Sequence, residues 1–192
     1  MEQKFAAYCM TRNQRPGSAD QRIYLRRLQE TDFDELVLRF ESSVKHLKGY
    51  AATTFDRKRF ESMLASADVE SNEAFLICLK NDDSIVGQIN LSQIFRKQFQ
   101  NAYLGYQLFS GFTGKGYMKD AVAKVLRYAF KEIQLHRVEA NVQPGNTPSI
   151  AVLKRNGFTK EGYSRRYLKI GGKWRDHERW AIIREDWLAN KT

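Results

Sequence analysis

The strongest constraint on the fold is a glycine-rich loop that runs directly into an amphipathic helix. Three glycines lie in "SGFTGKGYMKDAV" (Ser110 to Val122), and apolar residues then repeat at helical spacing as far as Ile133. The preceding "NAYLGYQLF" has the composition of a strand. The sequence therefore predicts a strand, a glycine turn and a helix that begins at about Tyr117, with its first amides lacking partners within the helix.

The other patterns place this unit in a mixed α/β domain. We predict strands in "RIYLRRL", "AFLICLK", "IVGQINLSQIF", "NAYLGYQLF", "HRVEANV" and the two halves of "EGYSRRYLKI-GG-KWRDHERWAII". Helices are predicted after a Thr31 cap, from Arg57 to Ala67, from Tyr117, and after a Thr147 cap followed by Pro148. The order is β-α-α-β-β-β-α-β-α-β-β, with residues 1–21 as an N-terminal arm and residues 22–192 as one domain. Short links predict that the strands at 74–109 form an antiparallel meander.

Composition restricts the kinds of partner. Lys and Arg number 32 against 22 acidic residues, a net charge of +10. This balance favours an anionic partner such as RNA, a ribosome or a phosphorylated ligand, although a merely solvated basic surface would look the same. Cys9 and Cys78 form no disulfide or zinc pattern, and neither a signal peptide nor a membrane span is recognisable. We therefore expect a reduced, cytoplasmic protein without membrane association.

The glycine loop fits neither of the two commonest phosphate-binding patterns. A P-loop requires Ser or Thr after its Gly-Lys pair, but Lys115 is followed by Gly116. A dinucleotide-binding loop requires a third glycine where Lys119 stands. Unpaired amides at a helix start, glycines without Cβ atoms and one lysine can still hold a diphosphate. The alternative is that the glycines only make the turn.

The run "YLGYQLFSGFTGKGYMKDAVAKVL" resembles the acyl-CoA motif of the GNAT N-acetyltransferase superfamily. "NTPSIAVLKRNGF" resembles the second conserved segment of that family, and the likeness extends from Arg22 to the end of the chain. Within the superfamily, "RIYLRRLQETDFDEL", "LHRVEANVQPGN" and "GGKWRDHERWA" are most similar to the ribosomal-protein-alanine N-acetyltransferases. Thr113 and Met118 depart from the usual Gln or Arg and the usual Gly or Ala of the loop.

The resemblance implies a mostly antiparallel sheet in which "NAYLGYQL" splays from a parallel neighbour, "HRVEANV", with Gly105 suited to the distortion. It implies that backbone amides bind the CoA diphosphate and that the splayed strand binds its pantetheine arm. The residues implied in cofactor binding are Leu108, Phe109, Thr113, Gly114, Lys115, Gly116, Tyr117, Met118, Asn146 and Ser149.

The catalytic candidates are a serine and several titratable residues. Many relatives carry a tyrosine acid at the position of Leu153, so Ser149 is the candidate for stabilising the leaving thiolate, although it could simply cap its helix. Glu139 is a candidate general base, or a structural carboxylate paired with arginine. Asp176 and His177 are further candidates, and His136 is expected to order a loop. One or two of four aromatic residues are expected to line the acceptor groove: Tyr103, Tyr106, Tyr167 and Trp174.

The leading hypothesis is a metal-free N-acetyltransferase that uses acetyl-CoA and acts on a protein N-terminus, expected to be that of a ribosomal protein. The basic surface would suit association with the ribosome. One alternative is an acetyltransferase for a small amine such as an antibiotic or a polyamine. Another is a non-catalytic module that binds CoA or the ribosome. The sequence leaves open whether the protein is a monomer or a homodimer.

Overall fold

A computed structural model describes residues 22–51, 53–67 and 69–190. The predicted arm of residues 1–21 and Cys9 lie outside the described residues. The strands are β1 (Ile23–Arg26), β2 (Glu73–Leu79), β3 (Ile85–Phe95), β4 (Asn101–Leu108), β5 (Arg137–Val142), β6 (Thr159–Ile170) and β7 (Lys173–Ile183). The helices are α1 (Phe33–Leu47), α2 (Arg57–Ala67), α3 (Tyr117–Arg127), α4 (Thr147–Arg155) and α5 (Arg184–Ala189).

The seven strands form one sheet in the order β1-β2-β3-β4-β5-β7-β6. All neighbours are antiparallel except β4 and β5, which are parallel. Only three residue pairs, from Asn101↔Arg137 to Tyr103↔Glu139, join β4 to β5. Beyond Tyr103 the two strands are unpaired, so the sheet opens there into a V. The predicted mixed α/β class, the meander and the splayed parallel pair are all confirmed.

The alternation of side chains divides the core between the two faces of the sheet. On one face the strands pack against α3 and α4, through residues such as Val122, Val125 and Leu153. On the other face they pack against α1 and α2, where Phe40 and Phe60 are central. Each face of the sheet is therefore covered by its own pair of helices. The V between β4 and β5 is open to both faces.

Two predicted helix caps are wrong. Thr31 lies inside a 3₁₀ helix, Glu30–Asp32, which precedes α1. Gln29 is the N-cap of that helix, and its backbone N–H donates to the Asp32 carboxylate at 2.7 Å. Likewise, α4 is capped by Asn146, whose side-chain oxygen accepts from the Ser149 N–H, whereas Thr147 is the first helical residue.

Other local predictions are confirmed. Helix α2 has the predicted bounds, and α3 begins at Tyr117. Gly157 ends α4 with a φ of +82°, and the Gly171-Gly172 pair turns the β6–β7 hairpin with φ values of +57° and +78°. The periodicity after Tyr117 predicts a regular helix, but α3 continues as a π-helix over Tyr128–Glu132. No helix in the described ranges is long and apolar enough to cross a bilayer.

Candidate active site

The loop between β4 and α3 presents a row of unpaired backbone donors. None of the N–H groups of residues 113–119 donates to an acceptor in the part of the chain that the structure describes. Gly114 and Gly116 have φ values of +75° and +84°, a region that favours glycine. Because α3 begins at Tyr117, the positive end of its dipole adds to these donors. The loop has the geometry and the charge to bind an anion.

The splayed part of β4 provides a second set of unpaired groups. The Phe109 N–H donates to Val86 of β3, and backbone groups alternate between the two sides of a strand. The N–H and C=O groups of Tyr106 and Leu108 therefore point towards β5, where pairing has already ended. This edge leads away from the glycine loop and can bond an extended ligand as a neighbouring strand would.

Tyr106 and Ser149 meet across the V. The phenolic oxygen of Tyr106 lies 2.8 Å from Oγ of Ser149 and 3.3 Å from the Ser149 carbonyl oxygen. Burial raises the pKa of Tyr106 to about 12, so the phenol stays protonated at neutral pH and can donate. Ser149 is thus placed on the open edge of β4 with a tyrosine hydroxyl beside it.

Three other predicted cofactor residues have packing or capping contacts. Asn146 uses its side-chain oxygen to cap α4 at 3.3 Å from the Ser149 nitrogen. Leu108 is partly buried against the α3 and α4 core, beside the V. Phe109 is fully buried on the other face, with its ring 5.1 Å from that of Phe40. The Phe109 side chain therefore belongs to the core and does not face the V.

Gly105 lies where β4 begins to separate from β5. A Cβ built on this glycine would lie 2.8 Å from Oδ1 of Asn90, on the facing position of β3. The Asn90 side chain therefore occupies the space that a residue at 105 would need. Asn90 also lines a cavity of about 310 Å³ between α2 and the sheet.

Glu139 lies on the same face as Tyr103, which is its partner in the parallel pairing. Its Oε1 accepts from Nδ2 of Asn101 at 3.2 Å and from Nε of Arg137 at 2.9 Å. Arg137 also donates to Glu161, and the pKa of its guanidinium is raised mainly by that contact. Both donors engage Oε1, which leaves Oε2 of Glu139 as the oxygen that could accept a proton.

The other two candidate bases differ in environment. His177 is buried, and its Nδ1 lies 3.0 Å from the carbonyl oxygen of Arg175. A carbonyl only accepts, so this nitrogen carries the proton, and burial lowers the pKa of the ring. Asp176 is bound to the Tyr163 hydroxyl at 2.6 Å and the Arg166 amide at 2.7 Å. Both hydrogen bonds lower the pKa of the Asp176 carboxyl, and the bond from Tyr163 has the larger effect.

The four candidate groove aromatics do not share one face. Tyr106 points towards α4, whereas Tyr103, at odd spacing from it, points to the opposite face. Tyr167 lies on that opposite side, 6.0 Å from the His177 ring. Trp174 is exposed and lines a cavity of about 330 Å³ with Tyr50, Gln143 and Asp176.

Comparison with known proteins identifies the family of this chain. The family model "Acetyltransferase (GNAT) domain" matches residues 22–159. The chain belongs to the GNAT acetyltransferase family. It is 38% identical over 172 residues to the Bacillus subtilis probable N-acetyltransferase YjcK, covering 85% of this chain and 95% of that protein.

Two further relatives are informative. The Escherichia coli ribosomal protein uS5-alanine N-acetyltransferase is 40% identical over 111 residues, or 58% of this chain and 57% of that protein. The structure of Mycobacterium smegmatis RimJ in complex with CoA-disulfide superposes with a TM-score of 0.76 at 32% identity, covering 85% of this chain and 83% of that one. This GNAT protein is thus an acetyltransferase, and its fold is that of solved members of the family.

The contact of Tyr106 with Ser149 is not predicted by the sequence. The resemblance to GNAT proteins directs attention to the position of Leu153 for a leaving-group acid, and Leu153 is fully buried in the core. The structure brings Tyr106 from β4 to Ser149 instead. The sequence feature that could have indicated this contact is the even spacing of Tyr106 and Leu108, which places both side chains on the face covered by α3 and α4.

Proposed function

We propose that the protein transfers the acetyl group of acetyl-CoA to the α-amino group of a ribosomal protein. The observation that carries the proposal is the presence of two sets of unpaired backbone groups, in residues 113–119 and on the open edge of β4, where Tyr106 contacts Ser149. These two sets match a donor with a diphosphate at one end and a thioester at the other. The E. coli relative, named for alanine of protein uS5, supports the choice of acceptor.

Anchoring of acetyl-CoA uses main-chain groups. The amides from Thr113 to Met118 bind the diphosphate, and glycines at 114 and 116 remove the side chains that would obstruct it. Lys115 adds a positive charge. The Tyr106 and Leu108 backbone groups bind the pantetheine arm, with Leu108 and Asn146 beside it.

The chemical step requires one bond to form and one to break. The neutral amine attacks the thioester carbon, the carbonyl oxygen becomes an oxyanion, and the C–S bond then breaks as the carbonyl reforms. In this proposal an unpaired N–H of the splayed strand donates to the developing oxyanion. The products are the acetylated amine and free CoA.

The leaving thiolate takes a hydrogen bond from Ser149. The Tyr106 and Ser149 hydroxyls are 2.8 Å apart and either can be the donor; in the proposed step Tyr106 donates to Oγ of Ser149, and the serine hydroxyl then donates to sulfur. The high pKa of Tyr106 keeps its proton in place, because the phenolate form is disfavoured by burial. Solvent then supplies the proton that converts the thiolate to the thiol.

The proton of the attacking amine leaves towards Glu139. Its Oε2 is the oxygen that Arg137 and Asn101 do not engage, and it can accept through a water molecule. An α-amine has a pKa of about 8, so a useful fraction is neutral before any base acts. A relay through water is therefore sufficient, and Glu139→Gln is expected to lower kcat about tenfold.

A paired glycine experiment tests the donor site. Gly114 and Gly172 have nearly equal φ values, +75° and +78°, and a Cβ added at either position would have no other atom within 4 Å. Gly114→Ala is expected to weaken CoA binding about tenfold in calorimetry, whereas Gly172→Ala in the β6–β7 hairpin changes it little. Equal CoA affinities for both variants would exclude this loop as the diphosphate site.

Mass spectrometry tests the acceptor. A synthetic peptide that begins with alanine should gain one acetyl group, and the same peptide with a blocked α-amine should gain none. Acetylation of spermidine in preference to the peptide would instead make the protein a small-amine acetyltransferase. Tight CoA binding without transfer to either acceptor would favour a binding module.

A further inference from the structure

Arg22 bridges the first strand and the glycine loop, although 93 positions separate it from Lys115. Its Nη1 donates to the Lys115 carbonyl oxygen at 2.7 Å, and its Nη2 donates to Oδ2 of Asp120 at 2.6 Å. The guanidinium also lies over the ring of Tyr117, 5.3 Å from its centroid. One side chain therefore contacts the loop and the first turn of α3 together.

The contact with Lys115 fixes the orientation of one peptide group. In a trans peptide the C=O of one residue and the N–H of the next point in opposite directions. Because the Lys115 carbonyl is directed at Arg22, the Gly116 N–H is directed away from it. That N–H is one of the unpaired donors of the loop, so Arg22 determines where a donor for the diphosphate points.

The glycine at 116 also leaves room for this contact. A Cβ built on Gly116 would lie 3.0 Å from Nη2 of Arg22. Gly116 has a φ of +84° as well, and it caps α3 without a side chain. The absence of a side chain lets the guanidinium reach both of its partners.

The contact of Arg22 with Asp120 also has an electrostatic effect on the loop. The Asp120 side chain is only 7% exposed and lies in the first turn of α3, close to the loop that would receive a diphosphate. An uncompensated carboxylate there would repel the ligand and weaken the effect of the helix dipole. Arg22, whose side chain is 49% exposed, neutralises this carboxylate while holding the Lys115 carbonyl.

We propose that Arg22 is a positioning residue for the diphosphate of acetyl-CoA. It acts through the Gly116 amide and by neutralising Asp120, and the inference rests on the proposed function of the loop. The guanidinium fork is needed because a lysine ammonium, a single point charge, cannot hold a carbonyl and a carboxylate in the same paired geometry.

The test compares two acetyl donors that differ only beyond the pantetheine arm: acetyl-CoA and S-acetylpantetheine, which has no diphosphate. With acetyl-CoA, Arg22→Ala is expected to raise KM at least tenfold with little change in kcat. With S-acetylpantetheine, the same substitution should leave kcat/KM within about twofold of wild type. A merely structural role would reduce activity with both donors alike.

Further variants separate the two contributions. Arg22→Lys should recover part of the affinity for acetyl-CoA, and Asp120→Asn combined with Arg22→Ala should recover the electrostatic part. Arg27→Ala is a suitable control. Arg27 forms an ion pair with Glu73, with 3.0 Å between Nη2 and Oε2, and its partner is not in the loop. Its side chain is 38% exposed, which is similar to that of Arg22. This variant should change the KM for neither donor.

The results distinguish this inference from the proposed function. If the wild-type protein shows no preference for acetyl-CoA over S-acetylpantetheine, the loop does not bind a diphosphate, and the proposed function fails with it. If the wild type prefers acetyl-CoA and Arg22→Ala retains the whole preference, the donor site stands and the role of Arg22 is overturned.

Discussion

The hydroxyl of Tyr106 lies 2.8 Å from Oγ of Ser149, and the two residues are 43 positions apart in the chain. One comes from the strand that opens the sheet and the other from the first turn of α4. Their contact lies beside the open edge of β4. In the proposed mechanism this pair of hydroxyls stabilises the leaving thiolate.

Substitution of this pair should affect turnover more than donor binding. Ser149→Ala is expected to lower kcat by about 10- to 100-fold, and Tyr106→Phe by about threefold to tenfold, with CoA affinity nearly unchanged. Because Tyr106 acts through Ser149, the double variant should be no slower than Ser149→Ala alone. Steady-state kinetics and calorimetry measure both quantities, and multiplicative losses in the double variant would separate the two roles.

Gly105 and Asn90 should be coupled in stability. In wild type, Gly105→Ala places a Cβ against Oδ1 of Asn90, so we expect a loss of about 1 kcal/mol in the free energy of unfolding. In an Asn90→Ala background the contact is absent, and alanine should then stabilise the strand by a few tenths of a kcal/mol, since glycine has the greater chain entropy to lose. Urea denaturation of the four proteins measures the sign change, and simple additivity would contradict it.

The ion pair between Arg26 and Asp32 should be important for stability. Arg26 binds both carboxylate oxygens, at 2.7 and 2.6 Å, and Asp32 is buried. Arg26→Ala is expected to cost about 3 kcal/mol, because it leaves a buried carboxylate without its cation.

The matched variant for this pair removes the charge as well. Arg26→Met with Asp32→Asn should recover much of the loss in urea denaturation, since neither charge then remains buried. A double variant as unstable as Arg26→Ala would show that shape, and not charge, determines the effect.

His177 should make the fold sensitive to mild acid. Burial lowers its pKa below the ordinary value of 6.5, so between those two values the unfolded chain binds a proton that the folded chain does not. The free energy of unfolding should therefore be unaffected by this group above pH 6.5 and should fall as the pH drops below it.

His177→Asn keeps a donor for the Arg175 carbonyl but does not titrate. This variant should lose less stability than wild type between about pH 7.5 and 5.5, as measured by urea unfolding. His46→Asn is the control, because His46 is exposed. An unchanged pH dependence in His177→Asn would mean that other groups are responsible.

Much of the fold could be predicted because local patterns and packing agree. The glycine run, the periodicity after Tyr117 and the Gly171-Gly172 turn each specify a structure that the tertiary fold keeps. The predicted cap at Thr31 is wrong because a 3₁₀ turn, in which Asp32 accepts from the Gln29 amide, precedes the helix, and the cap predicted at Thr147 is Asn146, which accepts from the Ser149 amide. Helix ends depend on such local hydrogen bonds more than on periodicity.

The candidate site was only partly predictable, because its important contacts join distant segments. Sequence spacing gives no sign that Arg22 reaches Asp120, and those residues meet only when β1 packs near α3. It likewise groups Tyr103 with Tyr106, although strand alternation places them on opposite faces. Strand parity could have separated those two tyrosines, but the contact of Arg22 required the assembled sheet.

Three residue pairs between β4 and β5, with the Gln100 carbonyl that accepts from the His136 and Arg137 N–H groups, form a short seam between two halves of the sheet, β1 to β4 and β5 to β7. A ligand bonded along the open edge of β4 would lengthen that seam in the manner of an inserted strand. Catalysis would then be accompanied by a cycle of mechanical stiffening and loosening, because each turnover adds and removes part of the sheet.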